Sequence, residues 1–327
     1  MAGGVRLLAV DLPAQRPPRG RRGGHRLPPR PRVVGPVGGG AADGSVAGAL
    51  ACSAGLAALT YGLIERSGPA PATGLAGLGL FVVIEARSRA PMLPLAVFAN
   101  RVFSATNVIT FVIYGALGTV LFLISLVLQE GLGYTAVQAG ASLFPITVIM
   151  LALSSRSGAL AGRIGPRIPL TVGPLVIGAG LALLVRVQPG RSYTASVLPA
   201  LVVFALGLAL TVAPLTATVL GAAEVRLAGL ASAVNNAVAR AAGLLAVAAV
   251  PLLTGFDPED AVGPSVVVEG LHDVALIAAS GCVLAGVLAF ASLPSRRAAG
   301  PAEAAEAGRP TFHCPLDAPP SVLVAEE

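Results

Sequence analysis

Weakly polar side chains recur at helical spacing within otherwise apolar segments of the sequence, and these are the residues that could do chemistry. Side chains three or four positions apart lie on one face of an α-helix. In a membrane protein, such stripes either let two helices pack closely or line a pathway for a small molecule. The candidates for a substrate pathway come from three segments and are Asn107, Tyr114, Thr211, Pro214, Thr218, Asn235, Asn236 and Arg240.

Arg240 differs from the other candidates because it carries a full charge. It lies well inside an apolar segment, where a charge costs about 2.5–3.5 kcal/mol on insertion scales. We expect Arg240 to face a cavity, a carboxylate or the inner interface, with Asn235 and Asn236 one turn away as hydrogen-bonding partners. The alternative is that its long side chain reaches the cytoplasmic lipid headgroups.

Catalytic and metal-binding patterns are missing from the sequence. No apolar segment holds a pair of Asp or Glu, and the chain has no Lys for a phosphate-binding loop. The histidines and cysteines are isolated from one another: His25, His272, His313, Cys52, Cys282 and Cys314. We therefore predict that the protein is not an enzyme and that it uses no metal or cofactor.

Composition predicts the fold class that must position these residues. Of the 327 residues, 55% are hydrophobic and 12% charged, and the mean hydropathy is +0.81. A soluble domain carries roughly twice that charged fraction. Eight apolar segments recur, each near the ~20 residues that cross a bilayer as a helix. We predict an all-α integral membrane protein with helices at about 46–64, 70–86, 103–128, 138–156, 168–186, 195–221, 229–254 and 271–293.

The distribution of arginine predicts how these helices cross the membrane. The net charge of +6 lies in the N-terminal arm and in short loops, which indicates topology rather than binding to nucleic acid. If the first helix runs outward, nine loop arginines face the cytoplasm and three face outward. We therefore expect a multi-pass protein of the plasma (inner) membrane with both termini in the cytoplasm. The inner set is Arg87, Arg89, Arg101, Arg156, Arg163, Arg167, Arg226, Arg296 and Arg297, and the outer set is Arg66, Arg186 and Arg191.

The two ends of the chain differ from its middle. Residues 1–45 are rich in Arg, Pro and Gly, a composition typical of a disordered arm. A second interpretation is that this stretch results from translation in a wrong frame. Residues 294–327 form a charged, proline-containing tail that we expect in the cytoplasm.

Three stretches together resemble the major facilitator superfamily, and specifically its fourteen-helix drug:proton antiporter (multidrug efflux) branch. The first runs from Leu128 to Arg167 and reads LQEGLGYTAVQAGASLFPITVIMLALSSRSGALAGRIGPR. The second, similar to later helices of the family, reads LGLALTVAPLTATVLGAAEVRLAGLASAVNNAVARAAGLLAVAAV. The third, ALTYGLIE, is similar to the two helices that link the halves of these transporters.

The resemblance implies an architecture and a gate. It implies a pair of linker helices over 46–100, followed by a six-helix C-terminal bundle over 101–293 that works by alternating access. It also implies a cytoplasmic gate motif in the loop GALAGRIGPR, whose arginines contact helix ends or acids. The motif residues are Gly158, Arg163, Gly165 and Arg167, and Gly162 stands where the motif usually carries Asp.

The implied function is export of hydrophobic or cationic drugs by proton antiport, with the proton gradient as the energy source. The expected partners are the lipid bilayer, a small amphiphilic substrate and an N-terminal half, because residues 1–45 stand where the family has six helices. Glu65, Glu85 and Glu130 lie at span ends, so we expect no acid deep in the membrane. The alternatives are a second copy that completes the pathway, a non-transporting membrane partner, or an inert gene remnant.

Overall fold

Helices account for nearly all of the chain that the computed structural model describes, which is residues 42–65, 68–88, 91–188, 190–254 and 264–295. The helices are α1 (Ala42–Ile64), α2 (Pro69–Arg87), α3 (Arg101–Leu126), α4 (Ala136–Ser142), α5 (Phe144–Ile164), α6 (Arg167–Leu183), α7 (Tyr193–Ala222), α8 (Ala228–Ala248), α9 (Val250–Thr254) and α10 (Pro264–Ser292). The expectations for the N-terminal arm up to residue 41, for the C-terminal tail from residue 296, and for Arg66 and Arg89 lie outside the described residues.

Eight of the described segments are long and apolar enough to cross a membrane, which confirms the all-α membrane fold. They are Val46–Ile64, Pro69–Arg87, Arg101–Gly131, Ala136–Ile164, Arg167–Arg186, Tyr193–Ala222, Ala228–Ala248 and Ser265–Ser292. All eight predicted segments therefore correspond to helices, and the differences are at their ends.

The fourth segment differs most from its prediction. It consists of two helices, α4 and α5, which meet at Leu143 immediately before the Phe144–Pro145 pair. Pro145 has no N–H and is tolerated in the first turn of a new helix, so it favours a restart at this point. At its other end α5 continues to Ile164, and the predicted loop GALAGR is therefore helical.

Neighbouring helices run in the directions that successive membrane crossings require. The α1–α2 pair is antiparallel, since Gly48 lies beside Glu85 and Gly62 beside Pro71. The same holds for α6 and α10, where Arg167 contacts Phe290 and Gly178 lies beside Ala279. By contrast α3 and α8 run parallel, with Asn107 beside Asn235 and Gly118 beside Gly243. Spans three and seven are both odd-numbered, so a chain that alternates direction must give this parallel pair.

The core lies where α3, α6, α7 and α10 pack together, and its large side chains include Ile113, Leu123, Ile177, Leu201 and Phe204, all fully buried. Helix α5 contributes little to this core, because only Ser157 and Ala161 along it are buried. The α1–α2 pair packs mainly on itself and also contacts α8. Helices α5 and α8 consequently keep long exposed faces.

Candidate functional site

A cluster of polar side chains joins α3 to α8, two helices that are otherwise largely apolar. Asn235 on α8 donates from Nδ2 to Oγ1 of Thr110 at 2.7 Å and to Oδ1 of Asn107 at 3.3 Å. The hydroxyl of Thr110 donates a hydrogen bond to the carbonyl of Thr106 at 2.9 Å. Asn107 is 5% exposed and donates to the carbonyl of Phe103 at 2.9 Å. Polar groups buried in this way need such partners, and the network fixes the register of α3 against α8.

Asn236 and Arg240 lie on a different face of α8 from Asn235. Both side chains are exposed, and they are one helical turn apart. Among the described residues Arg240 forms no ion pair and no hydrogen bond. The expected hydrogen bonds from Asn235 to Arg240 are therefore not formed, because Asn235 turns both amide hydrogens toward α3. The half-buried Tyr114 lies within electrostatic reach of the Arg240 guanidinium.

The three candidates on α7 lie apart from this cluster. Thr211 is fully buried, donates to the carbonyl of Gly207 in its own helix at 2.7 Å, and packs directly against Gly173 of α6. Thr218 donates to the carbonyl of Pro214 at 2.7 Å. The structure thus places Thr211 in the α6–α7 contact, while its predicted place in a substrate pathway stays a prediction.

Pro214 has a partner that the sequence did not indicate. A proline inside a helix leaves the carbonyl four residues earlier without its helical donor, and here that carbonyl belongs to Leu210. The hydroxyl of Ser157 on α5 donates to this oxygen at 3.2 Å. Ser157 is 5% exposed, so the contact binds α5 to α7 at the proline.

The gate motif occupies the end of α5, a tight turn and the start of α6. Gly165 ends α5 with φ +86°, a conformation that side-chain-bearing residues rarely adopt, so glycine is required there. Arg167 places its guanidinium 4.0 Å from the ring centroid of Phe290 on α10. Arg163 is exposed, and Gly158 packs beside Ala213 of α7. The contact of Arg167 in this structure is therefore with an aromatic ring rather than with an acid.

Glu85 is the buried acid of the described residues. It lies near the end of α2, as expected from the sequence, and is 2% exposed. Its Oε2 accepts a hydrogen bond from the backbone N–H of Leu93 at 2.9 Å, and its Oε1 lies against Gly48 of α1. The carboxylate thus joins the α1–α2 pair to the connector that leads into the bundle.

Sequence reasoning missed Thr110, Ser157 and Phe290, each for an identifiable reason. Thr110 follows Asn107 by three positions, so the helical spacing could have indicated it. Ser157 and Phe290 gave no such signal, because their partners lie on helices far away in the sequence. No group of three His, Cys, Asp or Glu within the described ranges could hold a metal ion.

An apolar crevice of about 160 Å³ opens between α3, α8–α9 and α10. Its lining includes Phe111, Thr119, Ala246, Leu253 and Ile277, and Thr119 supplies the only polar side chain of the lining residues. The hydrogen bonds of Asn235 go to Asn107 and Thr110, and neither of these residues lines the crevice.

Comparison with known proteins identifies the family. The sequence profile of the Major Facilitator Superfamily matches residues 32–247. The lincomycin resistance protein of Streptomyces lincolnensis is 33% identical over 232 residues, which cover 68% of this chain and 45% of that protein. The multidrug resistance protein Stp of Mycobacterium tuberculosis is 31% identical over 165 residues, or 50% of this chain and 30% of Stp.

A third relative is the quinolone resistance protein NorB of Staphylococcus aureus, 26% identical over 178 residues, or 54% of this chain and 38% of NorB. The chain thus spans less than half the length of each of these three relatives. The profile match extends over most of the helical bundle described above, including the cluster of Asn107, Thr110 and Asn235. This chain belongs to the Major Facilitator Superfamily, alongside transporters that carry drug-resistance names.

Proposed function

We propose that this chain exports hydrophobic or cationic drugs by proton antiport, as the C-terminal half of a two-bundle transporter. The observation that carries the proposal is the exposed polar face of α8. Asn236 and Arg240 stand unpaired there within an apolar helix, while Asn235 on the adjacent face is held by α3. A charge within a membrane span belongs in a water-filled cavity or against a partner rather than in lipid.

A second bundle is proposed as the partner that encloses this face. The relatives named for resistance to lincomycin, quinolones or several drugs are more than twice as long as the region matched here. The exposed faces of α5 and α8 offer a surface that a second bundle would cover. Two bundles that rock about a site at their interface would give alternating access.

Proton coupling is proposed to depend on an acid of the N-terminal half. Within the part of the chain that the structure describes, Glu85 is the buried carboxylate, and it lies near the end of α2, held by Leu93. The arginine distribution supports an orientation in the plasma membrane with both termini in the cytoplasm.

The test is drug uptake into inside-out membrane vesicles energised by respiration, with and without a protonophore. Two proteins are compared: the chain alone, and the chain fused behind the N-terminal bundle of the lincomycin resistance protein. Protonophore-sensitive uptake by the fusion only supports the proposal. If the chain alone takes up drug, and if it also purifies as a dimer in mild detergent, a second copy is favoured as the partner. Uptake by neither contradicts the proposal and favours a non-transporting protein.

A further inference from the structure

We infer that Arg240 and Asn236 form an anion-recognising subsite, which binds the carboxylate of an anionic or zwitterionic amphiphile. The inference rests on the proposed function only in calling this ligand a substrate. It differs from the proposed function in the charge of the drug: a purely cationic drug would find no countercharge among the described residues of this face, whereas a hydrophobic drug that carries a carboxylate would find one.

Arg240 lies far from both ends of α8. Twelve residues separate it from Ala228 and eight from Ala248, which puts its Cα about 18 Å from one end of α8 and about 12 Å from the other. Side chains on a helix tilt toward its N-terminus, so Arg240 points away from the nearer end. Its guanidinium therefore lies near the middle of α8 rather than at either end of this apolar helix.

Arg240 has no acidic partner among the described residues. Glu85 is the buried acid of the described chain; its Oε2 accepts from Leu93 and its Oε1 lies against Gly48 of α1. Glu224 pairs with Arg226 in the turn before α8, at 2.5 Å. No carboxylate in the described ranges lies within 4 Å of Arg240. Any counterion of Arg240 therefore comes from outside the described residues.

The exposed face of α8 carries hydrogen-bond donors that suit a carboxylate. A guanidinium presents parallel N–H donors that match the two oxygens of a carboxylate. Asn236, one turn before Arg240, adds an exposed amide, and the Tyr114 phenol lies nearby on α3. A permanent ion pair with a partner helix would desolvate both charges at a cost that pairing rarely recovers. A substrate carboxylate that enters through a water-filled pathway is bound only transiently. A substrate is therefore a better partner for the hydrogen-bond donors of this face than a permanent acid of another helix.

The experiment measures binding to the full 327-residue chain in phosphatidylcholine nanodiscs. Three fluorescent probes share one pyrene body and end in a carboxylate, an alcohol or an ammonium group: pyrenebutanoate, pyrenebutanol and pyrenebutylammonium. Binding to empty nanodiscs is subtracted. We expect saturable binding that is tightest for the carboxylate probe. Because the charge of Arg240 attracts the carboxylate far more than the neutral alcohol, Arg240→Gln should weaken carboxylate binding ~10-fold or more and leave alcohol binding unchanged.

Two further variants keep the result interpretable. Arg240→Lys retains the charge but loses the parallel donors, so its carboxylate preference should lie between those of the unchanged chain and Arg240→Gln. Unchanged binding of the alcohol probe shows that Arg240→Gln is folded. Arg226→Gln removes an exposed arginine in a turn and should change nothing. Three results would overturn the inference: equal binding of the three probes, the absence of saturable binding, or an unchanged carboxylate preference in Arg240→Gln. The last result would favour a contact between Arg240 and a partner helix. Binding needs no transport, so failed drug uptake with intact carboxylate preference would reject the proposed function alone.

Discussion

The hydroxyl of Ser157 donates a hydrogen bond to the carbonyl of Leu210, at the position where Pro214 leaves the α7 backbone without its helical donor. A proline in a membrane helix is tolerated when a neighbouring helix supplies the missing donor. Here the donor comes from α5, whose side chains are otherwise largely exposed. The backbone of α7 at Pro214 and the position of α5 are therefore linked through one hydrogen bond.

This link predicts a measurable coupling between Ser157 and Pro214. Ser157→Ala should lower the free energy of unfolding by about 0.6 kcal/mol, the average for hydrogen bonds between membrane helices. Pro214→Ala restores an N–H that can bond Leu210, so Ser157→Ala should have little effect in that background. The free energies come from unfolding in mixed detergent micelles. Ser155→Ala, at an exposed position on the same helix, is the matched control and should be neutral. Equal effects of Ser157→Ala in both backgrounds would contradict the link.

The two neighbouring asparagines of α8 should separate stability from transport. Asn235→Ala removes both donors to Thr110 and Asn107 and leaves buried acceptors unpaired, so it should destabilise by about 1–2 kcal/mol. Asn236→Ala removes an exposed side chain and should leave the unfolding midpoint unchanged. In the two-bundle fusion, Asn236→Ala should instead reduce drug uptake. A stable Asn235→Ala protein would show that the cluster does not hold α3 to α8.

The contact between Gly118 and Gly243 predicts a steric effect. A Cβ at residue 118 would lie 2.9 Å from the Gly243 Cα. The Cβ is fixed to the backbone of α3 and the Cα is part of the backbone of α8, so neither can move without separating the helices. Gly118→Ala should therefore destabilise by about 1–3 kcal/mol. The control is Gly162→Ala in α5, where nothing lies within 4 Å of the new atom. It should be neutral or stabilise by up to about 1 kcal/mol, because alanine favours helix. Equal melting temperatures of the two variants would refute the close approach.

These contacts show where sequence reasoning reaches its limit. Helical spacing identified Asn107 and Asn236 as members of polar stripes, because every residue on a helix has known neighbours three and four positions away. Asn235 was predicted as a hydrogen-bonding partner of Arg240. Helical spacing could not tell that Asn235 faces α3 while Asn236 and Arg240 remain exposed, since that depends on how α8 is rotated in the bundle. The partner of Pro214 was hidden for a similar reason, because Ser157 lies 53 residues from Leu210.

The predicted end of the fourth segment was wrong for a local reason. Hydropathy ended the fourth segment at residue 156, where Arg156 and the glycines of SGALAGR begin. Tertiary packing overrides this signal: Ser157 and Ala161 are buried in the bundle, and the helix continues until Gly165, whose positive φ ends it. The type and number of spans were therefore predictable from apolar length, and the ends were not.

The Arg167–Phe290 contact predicts a pairwise energy at the gate motif. Cation–π pairs contribute about 0.5–1 kcal/mol at exposed sites and about 2 kcal/mol when desolvated. A double-mutant cycle of Arg167→Gln and Phe290→Leu should give a coupling near 1 kcal/mol in the free energy of unfolding. The same cycle with Arg163→Gln in place of Arg167→Gln should give none, since Arg163 is exposed. A coupling of zero for both arginines would show that the contact between Arg167 and Phe290 does not hold α6 to α10.

Single cysteines at opposite ends of α7 test the orientation that the arginines predict. Gln188 and Glu224 are both exposed, before and after α7, and with cytoplasmic termini the first faces outward and the second inward. In a chain with Cys52, Cys282 and Cys314 replaced by Ala, we expect an impermeant maleimide to label Gln188→Cys on whole cells. Glu224→Cys should react only after the membrane is permeabilised, and breaking its exposed pair with Arg226 should matter little. The cysteine-free parent is the control for background labelling. The reverse pattern would invert the topology and place the gate motif of Arg163 and Arg167 outside the cell, which would rule it out as a cytoplasmic gate.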